Sequence, residues 1–254
     1  MLANNNEAII NKLAKNSVKT NKKQYAILFF TIILSAFMLF CVFTIGMTYL
    51  NSSRLQNTRL NGAEYDIVTM NGFTSEQLNT LQQNENIRSV GIESYAGFIQ
   101  STEYDKTVEI GLLWCDEVFW DNLMSPARTK LDGHYPQNKN ELMVTKDILK
   151  TCGNENLSVG DSLILTYENN TGVYTDEFVI SGIWDGYGDT SAGFVSKAFY
   201  DETGYDLKNN GILCIKLNCN YVFPTTIQSI EKSLDFSDRQ IFAPTGYIEN
   251  SLKL

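Results

Sequence analysis

From Tyr25 to Leu50 the chain is apolar and carries no charged residue (YAILFFTIILSAFMLFCVFTIGMTYL), and nothing later approaches that density. At about 1.5 Å per residue a helix of that length spans roughly 39 Å, enough to cross a hydrocarbon core of roughly 30 Å with some tilt. A secretory signal has a shorter apolar region and a small-residue cleavage site. A lipoprotein signal also fails, because Met38, Leu39 and Phe40 precede Cys41. The pattern predicts a retained transmembrane helix at 25–50.

Ahead of it, Ile9, Ile10, Leu13, Ala14 and Val18 recur at helical spacing among lysines and asparagines. Residues 1–24 read as a cytoplasmic basic segment, either a short amphipathic helix on the membrane surface or a flank that only sets topology. After the span, residues 51–60 are polar but free of Gly and Pro, so the helix is expected to continue outward until Asn61-Gly62.

Beyond that point the period changes. Glu64 to Met70 alternates like a strand, Thr74-x-x-Gln77 is a capping box opening a helix to Gln83, and Arg88 to Gln100 returns as a strand. A second strand–helix–strand unit closes the chain at Gly211–Asn218, Pro224–Leu234 and Arg239–Ala243. The two β-α-β halves, 51–104 and 205–245, are read as one α+β sub-domain with a ferredoxin-like sheet. Between them, 105–204 reads as an inserted β-rich lobe, with strands at Thr107–Trp114, Glu141–Thr145, Ser162–Tyr167, Glu177–Trp184 and Gly193–Ser196. Short helices are expected at Asp116–Met124 and Lys146–Thr151. The fold class is therefore α+β behind one N-terminal span. The chain stops at 245–254 without a polar tail, so 246–254 is expected to begin a connector to a further span.

Charge sets the orientation. Five lysines (Lys12, Lys15, Lys19, Lys22, Lys23) and one acid precede the span; fifteen basic and twenty-eight acidic side chains follow, a formal charge of −13. The positive-inside rule puts the N-terminus in the cytoplasm and the main domain outside the plasma membrane. An outer surface so acidic argues against nucleic acid or anionic lipid as its partner.

Candidate chemistry is sparse. The single histidine, His134, lies in the turn-like Leu131-Asp132-Gly133-His134-Tyr135-Pro136. No Gly-x-Ser-x-Gly, Ser-x-x-Lys, His-Glu-x-x-His or phosphate-loop motif occurs. Asp185-Gly186-Tyr187-Gly188-Asp189 has too few carboxylates for a calcium loop and reads as a turn. The scattered cysteines suggest no zinc site, although an oxidising compartment permits a disulfide such as Cys115 with Cys152. Trp114, Phe119, Trp120, Trp184 and Tyr187 are read mainly as core. No catalytic, cofactor-binding or metal residue is assigned, and the chain is not read as an enzyme.

The order of elements resembles the FtsX/MacB-like permeases of ABC transporters. Gly133-His134-Tyr135-Pro136 before Glu141-Leu142-Met143-Val144-Thr145 is similar to that family's pattern. So are Leu157-Ser158-Val159-Gly160-Asp161-Ser162-Leu163, Phe178-Val179-Ile180-Ser181-Gly182-Ile183 and Phe194-Val195-Ser196, in the same order. These pieces mark turns and strands and carry no chemistry. The resemblance implies a porter-like outer domain and the N-terminal part of a permease subunit of an export or mechanotransmission system, ahead of further transmembrane helices. It also implies a separate cytoplasmic ABC ATPase, a homo- or heterodimer with another permease, and membrane lipid as surroundings. The alternative is a single-span, membrane-anchored binding or adaptor protein.

Overall fold

The computed structural model describes residues 6–100, 110–187, 192–218 and 224–245. The chain divides into two compact units, Met1–Ser52 and Ser53–Leu254.

The first unit is helical. Helix α1 covers Asn6–Thr20 and α2 covers Lys22–Asn61, residues 53–61 of which belong to the second unit. The 40 residues of α2 include the whole apolar run, and the helix is long and apolar enough to cross a membrane. The expected continuation past the apolar run is present: α2 ends at Asn61, and Gly62 follows at φ +71°, the left-handed conformation that stops a helix.

In the second unit the elements run β1 (Ile67–Met70), α3 (Ser75–Gln82), β2 (Ile87–Ile99), β3 (Ile110–Cys115), β4 (Arg128–Gly133), β5 (Glu141–Thr145), α4 (Lys146–Thr151), β6 (Ser162–Asn169) and β7 (Gly172–Gly186). They continue with β8 (Ala192–Val195), α5 (Lys197–Tyr200), α6 (Leu207–Asn210), β9 (Ile212–Leu217), α7 (Pro224–Ser233) and β10 (Ile241–Pro244). The capping box that opens α3 is formed. Thr74 Oγ1 accepts from the Gln77 N–H at 3.1 Å, and Gln77 Oε1 accepts from the Thr74 N–H at 2.9 Å.

The terminal halves interleave. The order β10-β1-β9-β2 is antiparallel at every pairing, which is the ferredoxin-like arrangement expected of two β-α-β units. Helices α3 and α7 cover this sheet through Leu81, Ile227 and Ile230, packed on Ile67, Val90, Leu213, Ile215 and Leu217.

The β-rich portion grows from the far end of β2. One edge of β2 pairs with β9 up to Glu93 and with β6 at Phe98 and Ile99; its other edge pairs with β3 from Glu93 onward. Following the pairings β2-β3-β8-β5-β7-β6 and back to β2 traces a closed ring. Closure removes the strand edges that an open sheet would leave. The interior is filled by Ala96, Leu112, Leu142, Val144, Leu163, Phe178, Ile180 and Val195 among others. A register shift between Tyr95 and Gly97 marks where β2 leaves the flat sheet for the ring.

Some expectations need correction. Strand β4 occupies part of what the sequence presents as a turn around Leu131–Pro136. It is an exposed edge strand with no apolar face, so no alternation announces it. The helix expected at Asp116–Met124 is a π-helical segment, Val118–Leu123, followed by a 3-10 turn at Ser125–Ala127. Strand β7 begins well before Glu177, because β6 holds its exposed first half by pairing from Gly172 onward. Part of the strand expected at Thr107–Trp114, the 246–254 connector, Cys219 and Gly188-Asp189 lie outside the described residues.

Candidate functional site

Where α2 ends, Gly62 at φ +71° begins the turn that carries Glu64 and Asp66 toward β1, and both carboxylates reach the same lysine. The Asp66 N–H donates to the Ile215 carbonyl at 2.9 Å, which sets the segment against β9. Lys216 of β9 then meets both acids: its Nζ lies 3.1 Å from Asp66 Oδ2 and 3.2 Å from Glu64 Oε1. Asp66 Oδ2 also accepts from the Leu217 N–H at 2.9 Å. Arg54, in the last turns of α2, pairs with Glu64. The result is a chain of alternating charges, Arg54–Glu64–Lys216–Asp66, in which Asp66 is 3% and Lys216 5% exposed.

Burial alone would raise the Glu64 carboxyl. Lys216 and then Arg54 outweigh it and hold the group below its ordinary value. Ion pairs this deep owe their stability to the completeness of the pairing, since a single unpaired charge here is costly. Beside the cluster opens a polar cavity of about 350 Å³, lined in part by Glu64, Arg88, Ser89, Asp121 and Lys216.

A second contact involves the same turns of α2. The Arg59 guanidinium lies 4.1 Å from the centre of the Tyr187 ring, at the end of β7. Arg59 Nε and Asn57 Nδ2 are buried there without a hydrogen-bond partner among the described residues. Residues 53–61 are thus held by the ferredoxin-like sheet through Arg54 and by the ring of strands through Arg59.

Glu93 lies, half-buried, on β2 where sheet and ring meet. The strand register sets it opposite Cys115 on β3 and Ile212 on β9. Burial pushes its carboxyl up to about 7. Burial also raises the neighbouring Tyr65, Cys115, Tyr135 and Cys214, and the negative charge of Glu93 adds a smaller push in the same direction.

The residues singled out from the sequence are dispersed. His134 is exposed, and its Nδ1 lies 3.0 Å from the Tyr135 carbonyl. The important side chain of that turn is Tyr135. Its buried hydroxyl accepts from the Cys115 N–H at 3.0 Å and lies 3.2 Å from the carbonyls of Cys115 and Val195. Trp114 stacks on Tyr200, and Trp120 packs with Tyr135 and Phe194 beneath Arg128. Trp184 lies against Phe194. All three tryptophans are core residues. Cys115 and Cys152 are both free thiols, packed in separate apolar clusters. Among the described residues no group of His, Cys, Asp or Glu is placed to hold a metal. Sequence reasoning missed the charged chain because its four members come from α2, the turn after it and β9, and each looks like an ordinary surface charge in isolation.

Helix and sheet together define the class: one helix of membrane-spanning length ahead of an α+β domain whose ferredoxin-like sheet opens into a ring of strands. No family model matches the sequence, and no curated protein matches it. Among solved structures the chain is similar to the periplasmic region of MacB from Actinobacillus actinomycetemcomitans, at 14% identity and a TM-score of 0.48 over 76% of this chain and 95% of that one. It is also similar to the extracellular domain of the noncanonic ABC-type transporter YknZ from Gram-positive bacteria, at 12% identity and a TM-score of 0.44 over 70% and 98%. A domain of a permease protein from Porphyromonas gingivalis matches at 10% identity and a TM-score of 0.42 over 71% and 88%.

Proposed function

We propose that this protein is a permease subunit of an ABC-type export or mechanotransmission system, relaying ATP-driven motion of a separate cytoplasmic ATPase to its extracytoplasmic domain. The observation that carries the reading is the continuity of α2. One unbroken helix holds the apolar run and also supplies Arg54, whose pairing with Glu64 enters the buried chain of charges. Sharp kinks in helices sit at Pro, at Gly/Ser pairs or at π-bulges. Between Tyr25 and Asn61 there is no Pro, and the helix runs on through its one glycine, Gly46. The order of elements and the motifs quoted for the permease resemblance support the same reading, in which the subunit pairs with a second permease in the plasma membrane and its N-terminus faces the cytoplasm.

The test is co-purification in mild detergent of the natural gene product with the ATPase subunits encoded beside it. Association, with ATPase turnover that changes when the outer domain is locked by a cross-link, is the expected result. If no ATPase associates, the relay is wrong and the single-span binding module takes its place. For that second reading a cavity of about 530 Å³ near β4 and α4, with Lys130, Lys146, Leu149, Glu155 and Trp184 in its wall, is where a ligand search would start.

A further inference from the structure

Helix α1 has an apolar face that nothing in its own unit covers. Ile9, Ile10, Leu13 and Val18 are between 47% and 64% exposed. At roughly 100° per residue they fall with Ala14 within one half of the circumference, while Lys12, Lys15 and Lys19 share the opposite arc. The helix is also tied to the start of α2. Only Asn21 separates the two; its N–H donates to the Ser17 carbonyl at 3.0 Å, and the Tyr25 N–H donates to the Asn21 carbonyl at 3.1 Å. Ser17 Oγ and Tyr25 Oη lie 3.1 Å apart across the junction. The exposed apolar arc therefore ends within a few residues of the first apolar residues of the span.

We propose that α1 is an interfacial helix that recognises the anionic headgroups of the bilayer holding α2. Its apolar arc enters the acyl boundary, and Lys12, Lys15 and Lys19, joined by Lys22 and Lys23, meet the phosphates. Lipid is favoured over a protein occupant by two observations. The arc is continuous with the span, so the same bilayer is within reach. The segment 1–24 also holds five lysines against the single acid Glu7, a charge complementary to an anionic leaflet. The strongly acidic outer unit is repelled by the same lipids, so recognition of this kind is confined to the N-terminal end of the chain.

This inference rests on α2 crossing the bilayer and is independent of the ATPase relay. The full chain is placed in nanodiscs of phosphatidylcholine, with or without phosphatidylglycerol, and hydrogen exchange is followed at residues 6–20. Residues 25–50 in the same discs report separately on whether the span is inserted. The expected result is strong protection of α1 in the phosphatidylglycerol discs. It should exchange on the order of 10- to 100-fold faster in phosphatidylcholine alone and in the Lys12→Gln/Lys15→Gln/Lys19→Gln variant. The Ile9→Ser/Leu13→Ser variant should lose protection in both. Equal exchange of α1 in the two lipid compositions, or protection indifferent to the lysine substitutions, overturns the proposal. Protection that appears only when an ATPase subunit is added overturns it as well, and assigns the face to a protein.

Discussion

At Glu93 a lone carboxyl has been placed where two sheets meet. A folded-state value of about 7 against about 4.5 in the unfolded chain means that the native state binds the proton more tightly. Stability from this group is therefore fully present below about pH 4.5 and is lost as pH rises to about 7, then flat above. Glu93→Gln should raise stability at pH 8 by about 1–3 kcal/mol and leave it nearly unchanged at pH 4.5. Denaturant unfolding in detergent at the two pH values checks this, and an equal gain at both would show that ionisation of Glu93 is not the cause. Lys216 gives the opposite case. Lys216→Met leaves the buried Asp66 carboxylate without its ammonium partner and Glu64 with Arg54 alone, at a cost of about 3–5 kcal/mol. Adding Asp66→Asn should recover part of that loss, which the same unfolding experiment reads. Neither role was visible in the sequence: Glu93 sits in an ordinary strand, and Lys216 is one of twenty basic residues.

Among the elements, β2 decides the architecture. Its first half completes the ferredoxin-like sheet and its second half is a stave of the ring, with the change at the register shift by Gly97. A Cβ at Gly97 would come within 2.7 Å of the Glu168 carbonyl oxygen on β6, so the ring closes there because the side chain is absent. Gly97→Val should open the β2–β6 seam while sparing β1, β9 and β10. Hydrogen exchange should rise at residues 162–169 and stay unchanged at 212–217; a rise across both stretches would mean the two parts unfold together. The elements themselves were largely legible, because α3, α4, β5 and β9 carry capping residues or apolar runs that local physics reads directly. Strand β4 was not, since it has no buried face, and neither was the π-helical segment, whose Phe119 and Leu123 pack closely on Gly91 of β2, far from them in sequence.

For the whole molecule, charge asymmetry is the organising feature, basic before the span and acidic after it. The positive-inside rule then expects protease added to intact cells to remove the outer unit and leave a membrane-protected fragment ending shortly after residue 50. Immunodetection of an N-terminal tag gives the answer, and loss of the tag before permeabilisation would reverse the orientation. The sequence alone determined the long apolar helix, its continuation to Asn61, the two β-α-β halves and the sign of charge on each side, because each follows from composition or from a period of a few residues. Only the tertiary structure decided the closed ring, the interleaving of the halves at β2, and the Arg54–Glu64–Lys216–Asp66 chain. These join residues up to about 160 positions apart, and no local pattern encodes which distant strand will be the neighbour that satisfies a strand edge or a buried charge.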